Sequence, residues 1–566
     1  MQMSGTLQKE GRERGVVLVK WSFRCAIALC ALINFWICRF HMNPDGVSYL
    51  DMGDLYWKGS WHEALNAVWS PLYSWLTGFM ILVTKPGLHW EYPEVQLLNV
   101  AILIFALFCF EFFWGELLEA RQGKAWVGAT KPYAWVLGYL LFAYVQFLVH
   151  SVTVVTPDLL VAAIVYLASG AMLRFSSQRM GTRSAFLLGL LLGIGYLTKT
   201  AMLPFAIAFV VTMFAAACKQ HQKKSLVACT FLGFLLISLP FIAALSANMN
   251  RFTFGDSAKL NRSWYVSGVR PMNRHWQGDG PGYKNAQHPT RVLLKSPEIY
   301  EFSTPVAGTY PVWYDPSYWY AGMKSAVDPA REVRVTLDNM RVIAKNVMLP
   351  LVFLGPFLLL VFLSDGIRDW WRNLRSLWPI LVPSLGMFAM YALINFNARY
   401  TCGETLVLWS AAITSTSVPL GSRTAKLFQL MSVLVSAIFL YQMSRALIRA
   451  NSNHEGLTQV VVAERLRAIG IEPGDHVALI GDGYVEEYWA RLDRVKIVAE
   501  VPHDANFELP DSTAAFWSST LESEKQILNI LRSTGAKAVI TDSAPVVLPP
   551  GWIPIENTRH AVYFFR

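Results

Sequence analysis

The stretch HMNPDGVSYLDMGDLYWKGSW, residues 41–61, follows directly on the first long apolar segment of the chain. It contains three acidic residues, Asp45, Asp51 and Asp54, and Glu63 comes just after it. Acidic side chains beside a membrane span are costly unless they face water, a partner or a substrate, so this stretch indicates a functional site. A solvated loop is the alternative interpretation, because short patterns of this kind also occur by chance.

The composition is typical of a polytopic membrane protein. Of the 566 residues, 54% are hydrophobic and only 16% are charged. The net charge of +10 is explained by basic loops on the cytoplasmic side of the membrane. The sequence has no basic stripe interleaved with aromatic residues, so we expect no nucleic-acid partner. The seven cysteines show neither a disulfide framework nor a zinc-binding pattern.

Basic residues set the predicted orientation of the helices. Lys9, Arg12 and Arg14 precede an uncleaved first span at 16–40, which places the N-terminus in the cytoplasm and residues 41–61 outside. The apolar segment 70–83 is shorter than the ~20 residues that a crossing helix needs. We therefore interpret it as a helix lying on the outer face, within an outer loop 41–94. Counting onward predicts about eleven transmembrane helices and an outer C-terminal tail.

Two domains are expected. The first, residues 1–447, holds the transmembrane helices and a long outer loop at 248–345. The second, residues 451–566, alternates helical and strand patterns and predicts a small α/β domain. In its GDG turn, Gly481 and Gly483 fit a phosphate cradle, but the full G-x-G-x-x-G spacing is missing. An accessory domain without a cofactor is the favoured interpretation.

The predicted topology brings polar residues from distant loops to the outer face. Besides Asp45 these are Thr156 with Asp158, Lys199, and Asn397 with Arg399 and Tyr400. Two cations beside two acids suit a lipid phosphate that carries a leaving group, with a carboxylate as general base for an acceptor hydroxyl or amine. Each residue also has a structural explanation: Asp158 as a first-turn acid or cap, Lys199 as a snorkelling side chain, and Arg399 with Tyr400 as interfacial anchors.

Five motifs in the same order resemble those of the GT-C membrane glycosyltransferases. The most similar branch is the bacterial one that includes protein O-mannosyltransferases and aminoarabinose lipid A transferases, and the resemblance covers about residues 16–420. The motifs are Asn43-Pro44-Asp45-Gly46-Val47-Ser48-Tyr49, Ser70-Pro71-Leu72-Tyr73, Thr156-Pro157-Asp158, Gly195-Tyr196-Leu197-Thr198-Lys199 and Ala398-Arg399-Tyr400.

The resemblance implies a GT-C fold and a role for each matching residue. Asp45 would be the catalytic base, and Asp158 would position the acceptor or, in some members, help to hold a divalent metal. Lys199 would contact the lipid phosphate, and the pocket would be lined by Tyr49, Arg399 and Tyr400. Relatives of the lipid A branch carry a Lys where this chain has Ser70, so one expected phosphate contact is missing. Asp51 and Asp54 remain further candidates for the base or for substrate binding.

An aromatic segment, YPVWYDPSYWYAGM at 310–323, lies in the long outer loop. Its Trp313, Tyr314 and Trp319 are candidates for stacking on sugar rings, and interfacial anchoring is the equal alternative.

Together these features predict a glycosyltransferase that moves a hexose or pentose from a polyprenyl-phosphate donor to an unidentified acceptor. The predicted location is the periplasmic face of a bacterial inner membrane. No nucleotide cofactor is needed, because the donor supplies the energy, and metal dependence stays open. A transporter or flippase for a lipid-linked glycan and a non-catalytic membrane scaffold are the alternatives.

Overall fold

The computed structural model describes residues 2–121, 131–219, 221, 223–267, 290–302, 307–315, 327–362, 366–416, 422–452, 454–503 and 512–565. It is largely helical, with one mixed β-sheet. In the N-terminal half the helices are α1 Gln2–Cys38, α2 Pro44–Lys58, α3 Trp61–Ala64, α4 Pro71–Thr84, α5 Glu91–Glu119, α6 Lys131–Tyr144, α7 Asp158–Ser176, α8 Thr182–Thr198, α9 Met202–Lys219, α10 Lys224–Asn248 and α11 Ser257–Asn261.

The remaining helices surround and follow the long outer segment. They are α12 Pro311–Tyr314, α13 Pro329–Ile343, α14 Leu351–Phe362, α15 Ile367–Ser376, α16 Trp378–Ala392, α17 Cys402–Thr414, α18 Ser422–Ser452, α19 Glu455–Ala468, α20 Gly483–Asp493, α21 Ser512–Trp517 and α22 Leu521–Arg532. Single turns of 3-10 helix lie at Leu88–Trp90 and Ala398–Thr401, and π-helical turns lie at Val145–His150, Arg262–Val266 and Ala344–Met348.

Seven helices in the described part of the chain are long and apolar enough to cross a membrane. An eighth crossing is available if the bent pair Pro329–Met348 and Leu351–Phe362, with 69° between its two helices, forms one span. Apolar helices satisfy every backbone hydrogen bond internally, which is what a bilayer requires. A multi-pass helical membrane protein is therefore confirmed. The number of about eleven crossings stays a prediction, because helices such as Thr182–Thr198 and Trp378–Ala392 are shorter.

Helix α4 covers almost the same residues as the predicted peripheral helix 70–83, and it packs closely on α2. A Cβ added at Gly53 of α2 would lie 2.7 Å from the carbonyl oxygen of Ser74 and 3.0 Å from Cα of Gly78, both in α4. Only glycine allows two backbones to approach this closely. This contact fixes the distance of α2 from α4.

The β-sheet joins the tail to the long outer segment. Its seven strands are β1 Arg291–Lys295, β2 Glu298–Glu301, β3 His476–Gly481, β4 Lys496–Pro502, β5 Ala538–Thr541, β6 Trp552–Pro554 and β7 Ala561–Phe564, in the order β1-β2-β4-β3-β5-β7-β6. Strands β4, β3 and β5 run parallel, and the other neighbouring pairs are antiparallel. Because β2 pairs with β4, the outer segment completes the sheet of the tail. The division of the chain at residues 447 and 451 stays a prediction.

Candidate active site

A cavity of about 410 Å³ lies where the first turn of α2 meets the starts of α7 and α9 and the turn before α17. Seven of the residues proposed from the sequence as catalytic or substrate-binding line it: Asp45, Tyr49, Asp158, Lys199, Trp313, Arg399 and Tyr400. They come from segments that are hundreds of residues apart in the chain. The structure thus brings together the polar residues that the predicted topology placed on one face.

Two ion pairs cross the cavity. The Nη2 atom of Arg399 donates to Oδ2 of Asp45 at 2.9 Å, and Nζ of Lys199 donates to Oδ1 of Asp158 at 2.6 Å. The Nε atom of Arg399 also lies 3.8 Å from Oδ2 of Asp158. Two carboxylates and two cations therefore form one network, in which Arg399 contacts both acids.

Local sequence places Asp45 at the cavity. It is in the first turn of α2, after Asn43 and Pro44. The side chain of Asn43 accepts a hydrogen bond from the backbone N–H of Val155 at 2.8 Å and donates to its carbonyl at 3.4 Å. A Cβ added at Gly46 would lie 2.8 Å from Cβ of Val155. These contacts hold the start of α2 against the loop that leads to Asp158.

Asp158 is the first residue of α7, directly after Pro157, as expected of a first-turn acid. Its carboxylate accepts from Thr156 Oγ1 at 3.0 Å and from Lys199 Nζ at 2.6 Å. With 1% of its surface exposed, Asp158 depends on these partners, because an unpaired buried charge is strongly unfavourable.

Lys199 directly follows the last residue of α8, and its side chain lines the cavity. Its Nζ lies 4.0 Å from the ring centroid of Tyr400, in addition to its contact with Asp158. Burial would lower the pKa of Lys199, but the Asp158 carboxylate raises it above its ordinary value. The ammonium is therefore retained in the cavity, and the structure gives no support to a snorkelling side chain.

Arg399 lies in the 3-10 turn before α17. Its backbone N–H donates to the side chain of Asn397 at 3.1 Å, which closes this turn. Burial would lower the pKa of Arg399, yet Asp158 and Asp45 raise it above its ordinary value. Its guanidinium lies 5.1 Å from the ring centroid of Tyr400, so that ring contacts both cations.

An aromatic wall faces the charged residues. Tyr49 lies edge-on to Trp69 at 5.5 Å between ring centroids, and Trp69 lies 6.0 Å from Trp313. Trp69, Trp264, Tyr265 and Tyr391 also line the cavity but were missed in the sequence. Trp264 and Tyr265 are adjacent aromatic residues in the long outer loop, and the same feature led to the prediction of Trp313.

Four of the proposed substrate-binding residues are not seen in the cavity. Asp51 and Asp54 do not line it, because they lie on other faces of α2 and bind Arg491 of the tail. Tyr314 is buried and donates to the carbonyl of Glu63 at 2.8 Å. Trp319 lies outside the described residues.

The described residues that line the cavity do not fit a divalent metal. Among the described residues no group of three or more His, Cys, Asp or Glu side chains is arranged to hold one. Asp45 and Asp158, the two acids of the site, are each bound to a cation that would repel a metal ion. Positive charge held on Arg399 and Lys199 fits an anion instead.

No protein-family model matches the chain, and no curated protein matches its sequence. Solved structures match its fold. The crystal structure of ArnT from Cupriavidus metallidurans bound to undecaprenyl phosphate aligns with a TM-score of 0.51 and 11% identity, over 95% of this chain and 96% of that one. The apo structure of the same ArnT aligns with a TM-score of 0.51 and 11% identity, over 96% and 98% of the two chains.

ArnT, an aminoarabinose lipid A transferase, is a member of the GT-C superfamily. Its alignment with the present chain runs from the membrane helices into the tail, since it leaves out only about a twentieth of either chain. At this level of identity the comparison establishes the fold and leaves the chemistry to the site itself. The chain therefore has the GT-C fold of membrane glycosyltransferases.

Proposed function

We propose that this protein transfers a sugar from a polyprenyl-phosphate donor to a nucleophilic acceptor at the periplasmic face of a bacterial inner membrane. The observation that carries the proposal is the network in the cavity, where Arg399 contacts both Asp45 and Asp158 and Lys199 pairs with Asp158. An anionic leaving group and a general base need these two kinds of side chain within a few ångströms of each other.

The donor phosphate would bind Lys199 and Arg399. Arginine can bind phosphate oxygens through two parallel hydrogen bonds, and lysine adds a point charge. One wall of the cavity is apolar, formed by Ala201, Pro204, Met390 and Ile394, and it suits the first units of an isoprenoid chain. ArnT, whose fold this chain shares, was crystallised with undecaprenyl phosphate, which supports a lipid phosphate as the ligand.

Asp45 would act as the general base. Its carboxylate takes the proton of the acceptor hydroxyl or amine as that oxygen or nitrogen attacks the anomeric carbon. The bond between this carbon and the phosphate oxygen breaks, and its electron pair leaves with the polyprenyl phosphate. Negative charge develops on the phosphate during this step, and Arg399 and Lys199 would stabilise it.

The ion pairs also suggest an order of events. Arg399 holds the carboxylate of Asp45 at 2.9 Å. A phosphate that binds Arg399 competes with Asp45 and releases it toward the acceptor. Asp158, which is far more buried than Asp45, would keep both cations oriented while this exchange occurs. Ser70, which donates to or accepts from Thr200 at 3.2 Å, offers no third cation.

The test is transfer of radiolabelled sugar from synthetic polyprenyl-phosphate sugars by purified protein in nanodiscs. Wild type is compared with Asp45→Asn and Lys199→Ala, and the controls are Asp338→Asn, an exposed acid in α13, and Lys85→Ala, an exposed residue after α4. We expect transfer by wild type and both controls, and its loss in the two cavity variants. Transfer that survives in Asp45→Asn contradicts the assignment of the base.

A flippase or a scaffold would give different results in the same system. Movement of the labelled lipid across the bilayer of a liposome, without transfer to any acceptor, would support the flippase. If the protein neither transfers the sugar nor moves the lipid with any donor, the scaffold interpretation would be supported.

A further inference from the structure

Helix α20 of the tail is bound to helix α2, which carries Asp45. Arg491 of α20 has only 3% of its side chain exposed. Its Nη1 donates to Oδ1 of Asp51 at 2.8 Å and to Oδ2 of Asp54 at 2.9 Å, and its Nε donates to Glu91 at 3.1 Å. One guanidinium from the tail thus holds three acids of the membrane domain.

Two of those acids lie on the same helix as the proposed base. Asp51 and Asp54 come six and nine residues after Asp45 in α2. At 1.5 Å of rise and 3.6 residues per turn, Asp54 lies about 13 Å along the axis from Asp45 and on the opposite side of the helix. Arg491 therefore acts on the back of α2, while Asp45 faces the cavity from the front.

Arg491 is a cation that reaches all three acids of this contact. Asp51, Asp54 and Glu91 are all largely buried, and Arg494 of the tail is the second cation that reaches Asp54 and Glu91. Without Arg491, the three carboxylates would be left with Arg494, which pairs with Asp54 and Glu91, and with the exposed Lys58, which lies 3.9 Å from Asp54. Like charges repel strongly when they are shielded from water, so α2 would have to shift or rotate.

The tail also supports the aromatic wall of the cavity. Tyr484, in the first turn of α20, lies edge-on to Trp313 with 5.2 Å between ring centroids. Trp313 lines the cavity, and its carbonyl accepts from Ser48 of α2 at 3.4 Å. The same tail helix thus contacts α2 at its back and the wall beside Asp45.

We propose that Arg491 is a positioning residue for Asp45, so that the tail domain forms part of the catalytic unit by fixing the helix that presents the base. The tail needs no ligand of its own for this role. Because the inference rests on the proposed function for its catalytic consequence, its test needs a readout that is independent of sugar transfer.

The experiment uses the full chain in nanodiscs and three variants. Arg491→Gln removes the charge, and Arg491→Lys keeps the charge but lacks the planar fork that reaches several acids at once. Arg467→Gln is the matched control. It breaks another ion pair of the tail, 2.8 Å from Arg467 Nε to the fully buried carboxylate of Asp493 in α20, without touching α2.

Amide hydrogen exchange over residues 45–58 is the first readout, and sugar transfer is the second. We expect faster exchange of these amides in Arg491→Gln and no change in Arg467→Gln. The kcat of Arg491→Gln should fall about 10- to 100-fold, because a displacement of about 1 Å at a reacting group costs up to about 100-fold. The KM for the donor should not rise, since Lys199 and Arg399 are not on α2. Arg491→Lys should recover part of the kcat.

Unchanged exchange of 45–58 in both Arg491 variants would overturn the proposal, and so would faster exchange with a wild-type kcat per folded molecule. If Arg491→Gln does not fold, the comparison of Arg491→Lys with Arg467→Gln tests the proposal, by amide exchange over residues 45–58 and by sugar transfer. If the wild type transfers no sugar at all, the proposed function fails, whereas the exchange data still show whether Arg491 holds α2.

Discussion

Arg399 donates to Asp45 at 2.9 Å, although the two residues lie 354 positions apart in the chain. The contact joins the cation that would bind the donor phosphate to the carboxylate that would activate the acceptor. Under the proposed function, this ion pair would couple donor binding to catalysis, and mutation of Asp45 would separate the two.

The first prediction concerns Asp45→Asn, which should abolish transfer and still strengthen binding of polyprenyl phosphate. Transfer should fall about 10²- to 10⁴-fold, the contribution of a general base. Binding should tighten about threefold to tenfold, because the ion pair that competes with the phosphate contributes on the order of 1 kcal/mol. Isothermal titration with undecaprenyl phosphate in nanodiscs measures the affinity. Weaker binding by Asp45→Asn than by Asp338→Asn would show that Asp45 itself helps to hold the donor.

A second prediction separates stability from function at Lys199. Lys199→Gln leaves the buried carboxylate of Asp158 without its 2.6 Å partner, and loss of one partner of a buried pair costs about 3–5 kcal/mol. The double variant Lys199→Gln with Asp158→Asn removes the uncompensated charge. It should regain most of the thermal stability and no transfer activity. Thermal unfolding and the transfer assay check this, and a double variant as unstable as Lys199→Gln would contradict it.

Much of the site was predictable because membrane topology restricts where polar residues can go. A helix that crosses a bilayer alternates the side on which loops emerge, so Asp45, Asp158, Lys199 and Arg399 were expected on one face. Short turns then bring such loops close together. The bounds of α4 were predictable from its apolar run. Its 14 residues are fewer than the ~20 that a crossing helix needs, and its place on the outer face stays a prediction.

The contacts of the tail were not predictable in the same way. Arg491 and Asp51 are 440 positions apart, and helical periodicity tells which face of α2 carries Asp51 but not what packs against that face. The sequence therefore left Asp51 and Asp54 as candidates for the base or for substrate binding, whereas they bind Arg491 of the tail. Likewise β2 pairs with β4 across almost 200 residues, and β-pairing over such distances leaves no local pattern to read.

A third prediction tests the close approach of α2 and α4. Gly53→Ala would place its Cβ 2.7 Å from the backbone oxygen of Ser74, which cannot move without moving α4. Overpacking of this kind typically costs about 1–3 kcal/mol, so the thermal midpoint should fall. Transfer should fall as well, because α2 carries Asp45. Gly87→Ala is the control, since an added Cβ there meets no atom within 4 Å. A Gly53→Ala protein with the stability and activity of Gly87→Ala would argue against a fixed α2.

The last prediction concerns the pH dependence of the contact between α2 and the tail. Burial would raise the pKa of Asp54, but Arg491 and Arg494 lower it below its ordinary value. A carboxyl whose folded pKa is lowered stabilises the protein above its unfolded pKa of about 4, and this stabilisation disappears as the pH falls through the folded pKa.

At pH 7 the wild type should therefore unfold at a higher temperature than Asp54→Asn, and the difference should close only below about pH 4. Glu91, Asp51 and Lys58 also lie near Asp54. Burial, together with the charge of Asp54, raises the pKa of Asp51, so the two proteins also differ in the titration of Asp51. Asp338→Asn, at an exposed acid, should show no difference at any pH. A gap between wild type and Asp54→Asn that closes between pH 7 and 5, or persists unchanged at pH 3, would mean that the arginines do not hold Asp54 in its charged form.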